Sequence, residues 1–126
     1  MSKRISEQSG IQLNICLALA LRPIYANLMA PLPAIAVIAG RVELHNCIAK
    51  HVIDYTDPLL FTRYLLHRVD LLQRYAGQWR ASPINREHHS HVAGGYTAME
   101  AVARMYAATV LGWNAPLPPE VEDLLL

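Results

Sequence analysis

Charge, lysine and cysteine are all scarce in this chain of 126 residues. Charged residues make up 17% of it, 11 basic against 10 acidic side chains give a net charge of +1, and the pI is about 7.9. Only Lys3 and Lys50 are lysines. Proteins that hold nucleic acid through its phosphates need a strong positive charge, so the sequence argues against a nucleic-acid partner. Hydrophobic residues reach 53%, which excludes a disordered chain and predicts one globular domain over residues 1–126.

The two cysteines, Cys16 and Cys47, lie in apolar stretches without the spacing of a disulfide framework or a redox pair. A free cysteine in such a setting packs like a small hydrophobic residue. We therefore expect both to be reduced thiols in the core of a cytoplasmic protein.

An uninterrupted hydrophobic run is also missing, although residues 11–40 are the most apolar part of the chain. A membrane-spanning helix needs about 20 consecutive apolar residues, and this stretch is broken by Arg22, Pro23, Asn27, Pro31 and Pro33. Lys3 and Arg4 precede residues 13–21 as in an export signal, but the polar residues between them leave its apolar part too short. The sequence predicts neither a membrane span nor export.

The first half gives one clear helix and one ambiguous segment. Helical spacing of apolar residues predicts a helix over residues 6–21, which Pro23 ends, and an extended or turning connection over residues 22–34. Residues 35–54 are rich in β-branched side chains and fit strands broken at Gly40, but their apolar spacing fits a helix as well. Residues 22–54 together form an apolar segment interrupted by proline.

The second half begins with a helix signal. Asp57 followed by Pro58 predicts a helix start, and that helix ends either near Arg68 or only at Tyr75, with Gly77 just beyond its end. In the first case, residues 69–82 form a β-hairpin about Ala76 and Gly77.

A polar loop over residues 82–95 precedes the last long helix. Thr97 and Glu100 match a capping box, in which the Thr97 hydroxyl accepts from the amide of Glu100 and the Glu100 carboxylate accepts from the amide of Thr97. Gly112 ends this helix, and prolines keep the chain extended before a short turn over residues 120–126.

Short motifs follow one another in a fixed order over residues 55–121. They are Tyr55-Thr56-Asp57-Pro58, a hydrophobic strand over residues 69–72, Trp79-Arg80-Ala81, an alanine-rich helix over residues 97–108 with Arg104 at its centre, Leu111-Gly112 and Pro119-Glu120. In this order, the second half resembles a group of small phage-encoded proteins, the NinX-like proteins, and the related phage alpha-beta-alpha sandwich domain.

The resemblance implies an α+β fold in which helices pack on a small antiparallel sheet, and a phage or prophage origin. It favours the hairpin over residues 69–82 and strands within residues 35–54. It brings no catalytic residue and no cofactor. Without the resemblance, the alanine- and leucine-rich sequence predicts an all-α helical bundle, which is the alternative fold.

Histidines cluster in the polar loop, where Arg86 and Glu87 precede His88, His89 and His91. Imidazole and carboxylate groups bind zinc or nickel, which makes a metal-dependent hydrolase one alternative function. Adjacent histidines in an extended chain diverge, however, and no HExxH helix or cysteine pair supports them. We therefore expect no bound metal, and histidines that contact solvent or a ligand.

The start of the last long helix is the strongest candidate for a binding site. The first turn of a helix directs N–H groups and the positive end of its dipole toward an anion, and flexible glycines precede it here. Alternatively, Thr97 and Glu100 satisfy the helix start and the glycines only turn the chain. The first interpretation predicts a phosphorylated ligand held by Arg80, Arg86, His88, His89, His91, Gly94, Gly95 and Thr97.

No catalytic signature of high specificity occurs in the chain, so binding without turnover is the expected activity. With the resemblance, this predicts a phage-type accessory protein in the host cytoplasm. It would inhibit a host or defence system by sequestering the phosphorylated ligand or a host protein. In the alternative without a small ligand, apolar residues near 28–38 or 124–126 form a homo-oligomer or host-protein interface.

Overall fold

The computed structural model describes residues 4–26, 33–45, 50–84, 92–113, 115–116 and 119–124. Helices alternate with two antiparallel three-stranded sheets, so the predicted α+β class is confirmed and the all-α alternative is wrong. The structure has two small sheets, whereas the resemblance implied one. The elements are α1 (Gly10–Ala26), β1 (Ala34–Ile38), β2 (Arg41–His45), β3 (Lys50–Ile53), α2 (Pro58–Leu60), β4 (Val69–Tyr75), β5 (Gln78–Pro83), β6 (Ala93–Gly95), α3 (Ala98–Leu111) and α4 (Pro119–Leu124).

The helix α1 begins and ends later than the sequence predicts. A separate 3-10 turn covers Ile5–Glu7, and α1 continues through Pro23 to its end at Ala26. Proline inside a helix removes one N–H donor and crowds the carbonyl four residues earlier. Packing outweighs that cost here, because Tyr25 beyond the proline is only 5% exposed and α1 fully buries Leu13, Ile15, Leu17 and Leu21. The prediction that Pro23 ends the helix, with an extended chain from residue 22, is therefore wrong.

The ambiguous segment forms the first sheet, in the order β1-β2-β3. β1 and β2 meet with Val37 opposite Val42. The turn between them places Ala39 and Gly40 at φ of 52° and 79°, so the predicted break at Gly40 is a hairpin turn. β2 buries Val42 and Leu44 in the core shared with α1, which secures this sheet to the helix.

The segment that follows is helical only as far as Arg68. Asp57 caps α2 by accepting from the Leu59 amide at 3.0 Å, with Pro58 in the first turn, as predicted. The helix then widens into a π-helix over Phe61–Leu65 and tightens into a 3-10 turn over Leu66–Arg68. The earlier of the two predicted helix ends is therefore the right one.

The second sheet has the order β4-β5-β6 and includes the predicted hairpin. Its turn residues Ala76 and Gly77 have φ of 53° and 80°, the left-handed conformation that suits a two-residue hairpin turn. β5 buries Ala81 completely and half-buries Trp79 against the core.

The helix α3 packs on this sheet with one face and on α1 with another. Small side chains on both sides permit the close approach, since Ala101, Ala103, Ala107 and Ala108 are fully buried. Gly112, with φ of 120°, ends α3 at the predicted residue. The short α4 follows the prolines, and Leu124 packs partly buried against the main core.

Cys16 is a free, buried thiol, as predicted, whereas Cys47 lies outside the described residues. Within the described ranges, no helix has the length and apolar character needed to cross a membrane.

Candidate functional site

The start of α3 is capped by the chain itself. The Thr97 hydroxyl accepts from the amide of Glu100 at 3.1 Å, which confirms the predicted cap. The Glu100 Oε1 atom accepts from the amide of Tyr96 at 3.1 Å, one residue earlier than the predicted partner, Thr97. The carboxylate therefore lies at the positive end of the helix dipole, where an external anion would otherwise bind.

Arg104 joins this helix start to two other parts of the fold. Its Nη1 atom donates to the carbonyl oxygen of Gly94 at 2.8 Å and lies 3.4 Å from Oε1 of Glu100. Its Nε atom donates to the carbonyl oxygen of Gln8 at 2.6 Å. Sequence reasoning noted Arg104 only as the central arginine of the helix, and the contact with Gln8, 96 positions away, has no local signal.

The glycine pair has a packing role at one of its two positions. A Cβ atom on Gly95 would lie 2.7 Å from the backbone nitrogen of Ala101, closer than real Cβ contacts. A Cβ on Gly94 would meet nothing nearer than 3.8 Å. Gly95 therefore allows β6 and α3 to approach, and beside the pair lies a hollow of about 340 Å³ lined by Glu7, Gln78, Gly94, Gly95, Tyr96 and Arg104.

Arg80 lies next to the glycine pair, because Arg80 on β5 is the cross-strand partner of Gly94 on β6. Its guanidinium lies over the ring of Tyr75, 4.9 Å from the centroid. The structure thus places Gly94, Gly95 and Thr97 from the predicted set at the start of α3. Arg80 lies beside Gly94 on the neighbouring strand, with its side chain on the sheet face opposite α3. The other four predicted ligand-binding residues, Arg86, His88, His89 and His91, lie outside the described residues.

No metal site is found in the part of the chain that the structure describes, where no group of three or more His, Cys, Asp or Glu side chains is placed to hold an ion. The loop histidines on which the hydrolase alternative depends are not among these residues.

A larger pocket than this hollow lies elsewhere, between the C-terminal half of α3 and the open end of the β4–β5 hairpin. Its volume is about 600 Å³. Three separate parts of the chain form it, and its described lining residues are His67, Arg68, Pro83, Ile84, Met105, Tyr106, Thr109 and Val110. The backbone carbonyl of Arg68 accepts from the amide of Ile84 at 3.1 Å, which holds two of these parts together.

The pocket combines an apolar interior with basic side chains at its rim. Met105 is fully buried and Tyr106 is 4% exposed, whereas His67 and Arg68 are exposed. Burial raises the pKa of the Tyr106 phenol, and the positive charge of Arg68 opposes part of that rise. None of the described lining residues is acidic. The Thr109 hydroxyl donates to the carbonyl oxygen of Met105 at 2.8 Å, so its proton is already engaged.

Sequence reasoning missed this pocket because no short motif encodes it. Positions 105, 106, 109 and 110 repeat at helical spacing, which by itself predicts only a core-facing stripe. The one sequence feature that points to this pocket is Arg68, a basic residue immediately before the strand β4.

No model of a known protein family and no curated protein matches this chain. The resemblance to NinX-like proteins therefore stays a prediction. The chemistry of this pocket, called the α3 pocket and defined by its eight described lining residues, is the basis for a functional proposal.

Proposed function

We propose that this chain is a small binding protein that holds an anionic small molecule with an apolar body in the α3 pocket. The observation that supports this most directly is the combination of a volume of about 600 Å³ with an apolar interior and a basic rim. Ligand pockets in proteins commonly measure about 300–1,000 Å³ and combine apolar walls with a few polar groups.

The two parts of the ligand would meet different parts of the pocket. The apolar body would lie on Met105, Tyr106 and Val110, which line the side formed by α3. The anionic group, a phosphate or a carboxylate, would bind the Arg68 guanidinium, whose fork of donors matches both groups. His67 adds a second donor at the same rim.

The wider role in this proposal is the one expected from the resemblance. The protein would be a phage-type accessory protein in the host cytoplasm, and it would act on a host or defence system by sequestering the ligand without turning it over. Sequestration needs only a pocket and a sufficient number of copies, which is consistent with a chain that carries no catalytic motif.

A dye-binding experiment tests the pocket. The probe is 1-anilinonaphthalene-8-sulfonate, which has apolar rings and one anionic group. We expect one dye per chain, about 10- to 100-fold weaker binding in Arg68→Ala, since one charge-assisted hydrogen bond is lost, and no binding in Val110→Trp, whose indole fills the pocket.

The matched control is Arg63→Ala, which removes an exposed arginine that does not line this pocket. Equal dye binding by the unmodified chain and by both pocket variants would contradict the proposal.

Native mass spectrometry of the untagged protein, followed by denaturation of the same sample, tests the natural ligand. We expect a released compound that carries a phosphate or a carboxylate, whose mass distinguishes the two. A compound retained equally by Val110→Trp would contradict binding in the α3 pocket.

A further inference from the structure

β4 lies at one edge of the second sheet, as far as the structure describes it. Among the described strands it pairs only with β5, and it is the longest strand, with seven residues. Five of those residues are exposed, including the apolar Leu71 at 52% and Tyr75 at 59%. An unpaired edge of this length is a template for another strand.

The hairpin turn determines which backbone groups face away from β5. In a two-residue turn the flanking residues, here Tyr75 and Gln78, form a hydrogen-bonded pair, and such pairs alternate along an antiparallel ladder. Gln73 and Leu71 therefore also direct their N–H and C=O groups to β5. Leu72 and Arg74 direct theirs outward, where a further strand would bind.

We propose that two copies of this chain form a homodimer in which β4 pairs antiparallel with the partner's β4, with the two-fold axis at Leu72. Each Leu72 then exchanges both of its backbone hydrogen bonds with the same residue of the other copy. The two sheets join into one sheet of six strands.

Charge selects this register among those that the backbone permits. With Leu72 on the axis, Asp70 lies opposite the partner's Arg74, and by symmetry the pair occurs twice. A shift by two residues in one direction puts Arg74 opposite the partner's Arg68. The same shift in the other direction puts Arg74 opposite the partner's Leu72 and leaves Asp70 without a charged partner, and a further two residues put Arg74 opposite its own copy. Opposite charges facing each other across strands stabilise the pairing, and like charges oppose it.

The side chains of Asp70 and Arg74 are available to form these pairs. Asp70 and Arg74 are exposed, and neither forms an ion pair with another residue in the ranges that the structure describes. The irregularity in β4 lies between Val69 and Leu71 and therefore includes Asp70, whereas Leu72 on the axis and Arg74 belong to the regular part of the strand. In this register Leu71 becomes a diagonal neighbour of the partner's Tyr75, which covers two exposed apolar side chains.

Charge reversal tests both the surface and the register. Asp70→Arg and Arg74→Asp each turn two attractive pairs into repulsive ones, so we expect either variant to dimerise about 10- to 100-fold more weakly in analytical ultracentrifugation. An equimolar mixture of the two variants restores two attractive pairs, and it is expected to form a heterodimer as stable as the unmodified dimer. The double variant is expected to dimerise as the unmodified chain does.

Arg63→Glu is the matched control for Arg74→Asp, since it makes the same charge change on an exposed residue outside β4, and far-ultraviolet circular dichroism verifies that each variant is folded. A chain that stays monomeric at all concentrations would overturn the proposal. A dimer that survives both single reversals unchanged would also overturn it, because that dimer uses another surface.

Discussion

The guanidinium of Arg104 lies 3.4 Å from the carboxylate of Glu100, one turn earlier on α3, and both groups are largely shielded from solvent. The same guanidinium donates to carbonyl oxygens of Gln8 and Gly94. A single side chain therefore connects the chain before α1, the edge of the second sheet and the start of α3. The helix cap depends on this arrangement, because Arg104 balances the charge of the carboxylate that accepts from the Tyr96 amide.

Replacing Arg104 tests the importance of these contacts for stability. Arg104→Ala removes two charge-assisted hydrogen bonds and leaves two carbonyl groups without that donor, so we expect a loss of about 2–4 kcal/mol in the free energy of unfolding. Arg104→Lys keeps the charge, but its single nitrogen cannot occupy the positions of both Nε and Nη1, and an intermediate loss is expected. Urea denaturation measures both, and a change below about 0.5 kcal/mol in Arg104→Ala, typical of surface sites, would contradict this role.

The two glycines of β6 are expected to differ sharply in their tolerance of a methyl group. Gly95→Ala places Cβ 2.7 Å from the backbone nitrogen of Ala101, so β6 and α3 must separate. We expect a loss of about 1–3 kcal/mol, the usual cost of overpacking. Gly94→Ala is the control, since its Cβ meets only ordinary contacts. Thermal unfolding of the two variants side by side decides this, and equal melting temperatures would count against the close approach.

Removing the hydroxyl of Thr97 tests the cap of α3. Thr97→Ala deletes the acceptor for the Glu100 amide, which lies 3.1 Å away, and we expect a loss of about 0.5–2 kcal/mol in stability. Thr97→Ser retains the acceptor and is expected to stay close to the unmodified chain. Chemical denaturation measures the difference, and equal losses in the two variants would show that the hydroxyl does not act as a cap.

The Cys16 thiol is expected to be unreactive in the folded protein. Burial raises its pKa from 9.0 to about 11, and the side chain has no exposed surface. In a Cys47→Ser variant, where Cys16 is the only thiol, a disulfide reagent at pH 8 should label the protein only after denaturant is added. Rapid labelling without denaturant would contradict the buried position.

The same thiol contributes a pH dependence to stability. Because folding raises its pKa, the protonated form is favoured in the folded state, and the contribution is fully present below pH 9.0. It is lost as the pH rises from 9.0 toward about 11. Urea midpoints across this range should fall less steeply in Cys16→Ala than in the parent chain. Parallel curves would mean that the thiol does not contribute.

Local signals in the sequence predicted the parts of the fold that depend on a few neighbouring residues. Asp57 with Pro58, Ala76 with Gly77, and Thr97 with Glu100 each form their turn or cap through contacts within four positions, so their residue types were sufficient. The prediction that Pro23 ends α1 was wrong because packing of the residues after the proline, which involves distant parts of the chain, decides whether the helix continues. The segment over residues 35–54 stayed open because a strand and a helix both accept its apolar spacing.

The same distinction between local and distant contacts applies to the candidate site. The sequence identified the start of α3, where Gly94, Gly95 and Thr97 lie, but not the Arg104 contact that crosses most of the chain. It missed the α3 pocket, because Arg68, Ile84 and Val110 become neighbours only after the second sheet has packed on α3. Volume and charge in such a pocket are properties of the tertiary structure.

The near-complete burial of α1 has a consequence for biosynthesis. This helix leaves the ribosome before β2 and α3, the elements that cover its apolar sides. Until about the last fifth of the chain has been made, the side of α1 that α3 covers has no partner and is available to other nascent chains or to chaperones. A ribosome that stalls before α3 is complete would therefore release an aggregation-prone fragment. The rate at which α3 is translated determines how long the apolar side of α1 stays exposed.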